Sequence, residues 1–178
     1  MPTSPENSYF ESPQRRLALA SVVGEASLRR RETSEELTPK EYRVLLSRLN
    51  GASLEEIANQ VVFCSKRTVK RKYLYPVVKK LGARNIAHVP RIAVENGLVP
   101  IGELAEGPRL IKKRREILDL ISYGANQTKI ADISGASGVT IDYHVRSLLS
   151  ELGANSYEHL VMRGFQTRNI SPRLPINA

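Results

Sequence analysis

The densest chemistry in the chain is cationic. Residues 66–80, "KRTVKRKYLYPVVKK", hold seven Lys or Arg and no Asp or Glu. Lys66, Arg67, Lys70, Arg71 and Lys72 crowd the start of that run, just after Ser65, a residue type that caps helix N-termini. A helix N-terminus aims backbone amides at an anion, and basic side chains on the same turns add charge. This suits the holding of a phosphate backbone, with Thr68 adding a hydroxyl. A second basic run, "RLIKKRRE" at 109–116, offers Arg109, Lys112, Lys113 and Arg114. Catalysis finds no such support. The chain has no Gly-rich phosphate loop, no nucleophile motif and no His/Cys/carboxylate group at metal spacing, so no enzyme activity, cofactor or metal is expected. His88 and His159 read as packing or cap residues, Cys64 as a turn residue, and Glu35-Glu36 and Glu55-Glu56 as helix-start charges.

The whole chain carries the same bias. Among 178 residues, 27 are Lys or Arg and 18 are Asp or Glu, a formal charge of +9. Such an excess fits a polyanionic partner. One cysteine excludes an internal disulfide and suits a reducing, intracellular setting. No apolar run is long enough to span a membrane. "RRLALASVVGEAS" (15–27) has too short an apolar stretch for a secretion signal and is followed by Arg29, Arg30 and Arg31. The expected location is the cytoplasm, in association with the nucleoid.

The elements that must position these residues are helices. Thr38-Pro39-Lys40-Glu41 and Ser53-Leu54-Glu55-Glu56 are capping boxes, the first with Pro at the opening helical position. Asn50-Gly51 ends the first helix, Ser65 opens a third that runs to Leu81, and Asn85 caps a fourth ended by Asn96-Gly97. The order then recurs: a helix ending at Gly124, then helices capped by Asn126, Ser137 and Ser156. Gly51 matches Gly124 at an offset of 73, Thr68-Val69 matches Thr140-Ile141 at 72, and Leu81-Gly82-Ala83 matches Leu152-Gly153-Ala154 at 71. The first copy therefore holds two extra residues, one within 60–64 and one in the helix after Thr68. A bulge or kink is expected near Tyr75-Pro76, bringing Val69, Tyr73, Val77 and Leu81 inward as Ile141, Val145, Leu148 and Leu152 are in the second copy. The expected fold is all-α: two tandem four-helix helix-turn-helix domains at 36–99 and 109–170. A linker at 100–108 joins them, a disordered arm at 1–13 and a helix-plus-linker segment at 14–35 precede them, and a tail at 171–178 follows.

In each copy a short helix, a turn and a longer Ser-capped helix make the helix-turn-helix arrangement, whose second helix enters the major groove. Here the chain resembles the LuxR/GerE-type family. The first copy carries "LTPKEYRVLLSRLNGASLEEIANQ", "SKRTVKRK", "KKLGARN" and "NGLV"; the second carries "GANQTKIAD", "SGVTIDYHVRSLLSELGA" and "SYEHL". The resemblance covers about residues 37–99 and 113–170 and implies sequence-specific binding of double-stranded DNA to regulate transcription. The first copy departs from the pattern by Pro76 and an added residue, the second by Asp142 where a basic residue usually follows Thr-Val. Expected DNA contacts are Lys66, Arg67, Thr68, Lys70, Arg71 and Lys72 in the first copy. In the second they are Ser137, Thr140, Tyr143, His144 and Arg146, with Arg109, Lys112, Lys113 and Arg114 on the backbone. Three alternatives stay open: a scaffold whose second copy dimerises the chain or grips RNA polymerase, a binder of structured RNA, and a sigma-factor-like subunit.

Overall fold

The computed structural model describes residues 36–172, and the expectations for 1–35 and for 173–178 lie outside them. Every regular element among the described residues is helical. α1 is Pro39–Leu49. α2 begins as Leu54–Glu56 and continues as the π-helical turn Ile57–Val61. α3 runs through Lys66–Thr68, a π-helical stretch Val69–Leu74, and Tyr75–Lys80. α4 is Val89–Glu95, α5 Lys112–Ser122, α6 Gln127–Ser134, α7 Gly138–Glu151 and α8 Tyr157–Gln166.

The caps act as their residue types dictate. The Glu41 amide donates to Thr38 Oγ1 at 3.3 Å while the Thr38 amide donates to Glu41 Oε2 at 2.7 Å, closing the first box. Ser53 and Glu56 close the second. Ser65, Asn126, Ser137 and Ser156 each accept the amide three residues on. Asn85 differs from expectation. Its Oδ1 accepts from the His88 amide at 3.2 Å, so it closes a turn ahead of α4, which starts only at Val89.

The added residues of the first half are taken up by widened turns, the usual form of a one-residue insertion in a helix. The Tyr75 amide donates to the Lys70 carbonyl and the Val62 amide to Ile57, both five residues back. The widening in α3 lies just ahead of Pro76, where a missing N–H interrupts least. Val69, Tyr73, Val77 and Leu81 are all buried, with Leu74 as the extra inward residue. The turn after α2 ends on Phe63 at φ +50°, against Gly135 at φ +59° after α6. An aromatic residue thus adopts a left-handed conformation that glycine takes without steric cost.

The helices of α1–α4 and α5–α8 share one hydrophobic core. Leu45, Leu49, Val77, Leu81 and Ile92 lie in the same cluster as Ile117, Ile121, Ile141, Leu148 and Phe165. A smaller cluster, Val44, Ile57, Ala58, Val69, Tyr73 and Leu74, sits under the basic helix. α8 packs on α4 and α1 as well as on α5 and α7. The segment between the halves is clasped to α8: the Ala105 amide donates to the Gln166 carbonyl, and Asn169 Nδ2 donates to the Pro108 carbonyl at 3.1 Å.

Candidate nucleic-acid interface

Two Ser-capped helices carry the candidate contacts. In α3, Val69 and Tyr73 anchor the inner face against Ile57 and Val44, leaving Lys66, Arg67, Lys70, Arg71 and Lys72 exposed. Lys66 reaches Glu55 at 3.1 Å in a solvent-exposed pair of the kind worth little. Arg67, Lys70, Arg71 and Lys72 hold no ion pair among the described residues. Thr68 sits at the mouth of the helix, its hydroxyl 2.9 Å from that of Ser65. The outward face of α3 is therefore a positive surface on the first two turns.

α7 has the same frame and a different outward face. Ser137 and Thr140 repeat the 2.9 Å hydroxyl contact. Asp142 Oδ2 lies 2.6 Å from Arg146 Nη2, one turn along the same helix, in a solvent-exposed pair like that of Lys66 and Glu55. Tyr143 is 62% exposed and meets the half-buried His144 edge-on, with ring centroids 5.7 Å apart. Burial, and then the nearby charges of Lys113 and Arg114, hold the His144 imidazole below its ordinary pKa. The basic run of 109–116 is thus divided. Lys113 and Arg114 face α7, whereas Lys112 lines a cavity of about 600 Å³ with Arg115, Asp119 and Ser171. Arg109 is exposed ahead of α5.

A contact between α1 and the end of α3 recurs between α5 and the end of α7, with the charges exchanged. Glu41 Oε2 accepts from Lys80 Nζ at 2.9 Å. At the corresponding positions, offset by 73 and 71, Arg114 pairs with Glu151. Burial pushes the Glu41 carboxyl up, but Lys80 and the Thr38 amide and hydroxyl outweigh it, leaving it below the ordinary carboxylate value.

Two features escaped the sequence reading. Val139 is 82% exposed, one turn before Tyr143 on the same face of α7; its four-residue spacing from Tyr143 was the available signal. Arg91 is 1% exposed and sits at the centre of a polar network. It donates to Ser122 Oγ at 2.8 Å, Glu95 Oε1 at 3.1 Å and Asp119 Oδ1 at 2.5 Å, and stacks 3.9 Å from the Tyr123 ring centroid. The Arg91/Glu95 spacing of one helical turn hinted at a pair, but nothing local pointed to α5.

Among the described residues no group of His, Cys, Asp or Glu could hold a metal ion, and no helix is long and apolar enough to cross a membrane. No curated protein and no solved structure matches the chain. Residues 35–93, which include α1, the turn-linked α2 and α3, and most of α4, match the family model described as GerE, bacterial regulatory proteins of the luxR family. That segment is similar to the LuxR-family helix-turn-helix domain, a similarity that suggests a DNA-binding transcription regulator.

Proposed function

We propose that the chain regulates transcription by binding double-stranded DNA sequence-specifically through two LuxR-type domains in tandem, with α3 as the main reader. The observation that carries this is the outward face of α3, on which Lys66, Arg67, Lys70, Arg71 and Lys72 stand exposed at a capped N-terminus. Phosphate contact supplies most of such affinity, so about five neutralised phosphates give a log–log salt slope of about −4 to −5. Lys113 and Arg114 serve the backbone beside α7, and Ser137 and Thr140 mirror Ser65 and Thr68. The test is duplex binding by the Lys70→Ala/Arg71→Ala chain. We expect at least about a tenfold loss and a salt slope shallower by about two. Unchanged binding removes α3 as the main reader.

A second reading draws on the closed Asp142–Arg146 pair, which leaves α7 without net charge on its outward face. On that reading α5–α8 form a protein-docking unit, gripping RNA polymerase or a second copy of the chain. Footprinting separates the two, because a docking unit adds no protected bases.

A further inference from the structure

The contacts between the two halves are reciprocal. Asn85 Nδ2 donates to the Gly124 carbonyl at 2.9 Å, and Asn155 Nδ2 donates to the Gly51 carbonyl. Gly51 and Gly124 occupy matching positions at φ +92° and +77°. A Cβ on Gly51 would lie 2.6 Å from the His159 ring, and one on Gly124 would lie 3.1 Å from His88 Cβ. His88 and His159 match in turn at an offset of 71. Each half therefore sets the corner ahead of its fourth helix against the glycine that ends the other half's first helix, with Asn85 and Asn155 one position out of exact register. Contacts exchanged in this way are the mark of an approximate two-fold axis, the relation that pairs the subunits of a symmetric dimer. Here one chain supplies both sides, and the shared core and the buried Arg91 network hold them.

The axis relates two unequal readers. The outward face of α3 is cationic. That of α7 has Val139 and Tyr143 exposed one turn apart and the Asp142–Arg146 pair closed beside them. An apolar branched side chain at the start of a groove-entering helix suits the thymine methyl group, and a tyrosine hydroxyl can donate to or accept from a base edge. Neither adds counterion release. Homodimeric readers meet palindromes because their two heads are identical.

Resting on the DNA-binding reading above, we propose that a single chain acts as a directional reader: α3 and α7, held about the Gly51/Gly124 axis, take unequal half-sites of one non-palindromic duplex, with Val139 and Tyr143 selecting bases in the second half-site. Binding then has one orientation, set within the chain. No second copy is needed.

The experiment starts from duplexes selected by the full chain out of a random pool. The selected site is then compared with two palindromes, each built from one of its half-sites repeated in inverted order. The expected result is one chain per duplex, with the selected site bound at least about fivefold more tightly than either palindrome. In the Val139→Ala/Tyr143→Ala chain, base preference in the second half-site should fall while the salt slope stays unchanged, since no phosphate contact is lost. That split separates base reading from a folding defect, which would lower both. Preference for a palindrome, two chains per duplex, or a double variant with full base preference overturns the proposal while DNA binding stands. The last of these outcomes assigns the α7 face to a protein. Failure to select any duplex removes the underlying function instead.

Discussion

α3 and α7 share an inner face and differ on the outer one. Val69, Tyr73, Val77 and Leu81 are buried in α3; Ile141, Val145, Leu148 and Leu152 are buried in α7. The offset between these pairs is 72 for the first two and 71 for the last two, so the added residue of α3 falls between Tyr73 and Val77, within reach of its π-helical turn. Packing has kept the inward register at the cost of helix regularity. The outward positions obey no such constraint: one helix carries five exposed cations on its first turns, the other a valine, a tyrosine and one pair of opposite charges. Close packing tolerates a widened turn more readily than a vacated core position, whereas solvent-facing positions are free to follow function.

The two halves differ most where they meet. Position 91 holds a buried arginine and its counterpart, 162, a buried methionine. Arg91→Met would make the two sides alike but would withdraw the cation facing Glu95 and Asp119. Removing one partner of a buried ion pair costs about 3–5 kcal/mol, because charge is left in a medium of low polarity. Urea unfolding should show that loss. Adding Glu95→Gln and Asp119→Asn should recover most of it. A loss below about 1 kcal/mol would mean that apolar packing alone holds the halves.

The exchanged ion pairs are a smaller difference between the halves. Glu41→Arg sets a second cation against Lys80, and Lys80→Glu a second anion against Glu41; together they restore a pair in the polarity of Arg114 and Glu151. The double change should be more stable than the sum of the singles predicts, by about 1–2 kcal/mol in a double-mutant cycle. Glu41 also imposes a pH dependence. Its carboxyl sits below the ordinary value when folded, so its contribution is present above that ordinary value and lost as pH falls through the depressed one. A coupling near zero would make the exchange of charges incidental.

Pro76 tests the register directly. The widened turn already reroutes the backbone ladder ahead of it, with the Tyr75 amide donating to Lys70 rather than to Arg71. Pro76→Ala should therefore shift stability by less than about 1 kcal/mol, well under the cost of a proline in a regular helix interior. Deleting Pro76 should give α3 the spacing of α7 and keep a cooperative thermal transition with undiminished helicity by circular dichroism. An unfolded deletion chain would refute the alignment of inward residues.

Much of this frame was legible in the chain itself, because helix caps are local chemistry. Thr38, Ser53, Ser65, Asn126, Ser137 and Ser156 each announce a helix and each deliver a cap bond. The inward residues were legible too, since burial imposes a period. What stayed hidden depends on partners far along the chain. Nothing in the sequence around Arg91 marks it for burial, which comes when α5 closes over it. Arg146 reads as a DNA contact, although Asp142 stood one turn away as a visible competitor. Lys112 and Lys113 are adjacent in sequence yet face different surroundings, because one residue of helix turns a side chain by about 100°.

His144 offers the finest discrimination between α7 as a DNA-facing helix and α7 as a protein-facing one. Its imidazole is held below the ordinary value by burial and by the cations Lys113 and Arg114, and its Nδ1 is buried without a hydrogen-bond partner. Both causes favour the neutral imidazole in the free chain. For folding, a depressed histidine contributes stability above its unfolded value, near 6.5, and loses it as pH falls through the folded one. A bound phosphate acts in the opposite sense. By offsetting Lys113 and Arg114 it raises the imidazole toward its ordinary value, so binding takes up a proton and affinity rises as pH falls from about 8 to 6. We expect duplex affinity to rise over that interval at constant salt, a gain absent in the His144→Gln chain. A pH-independent affinity would place α7 away from the backbone and return that helix to a protein partner.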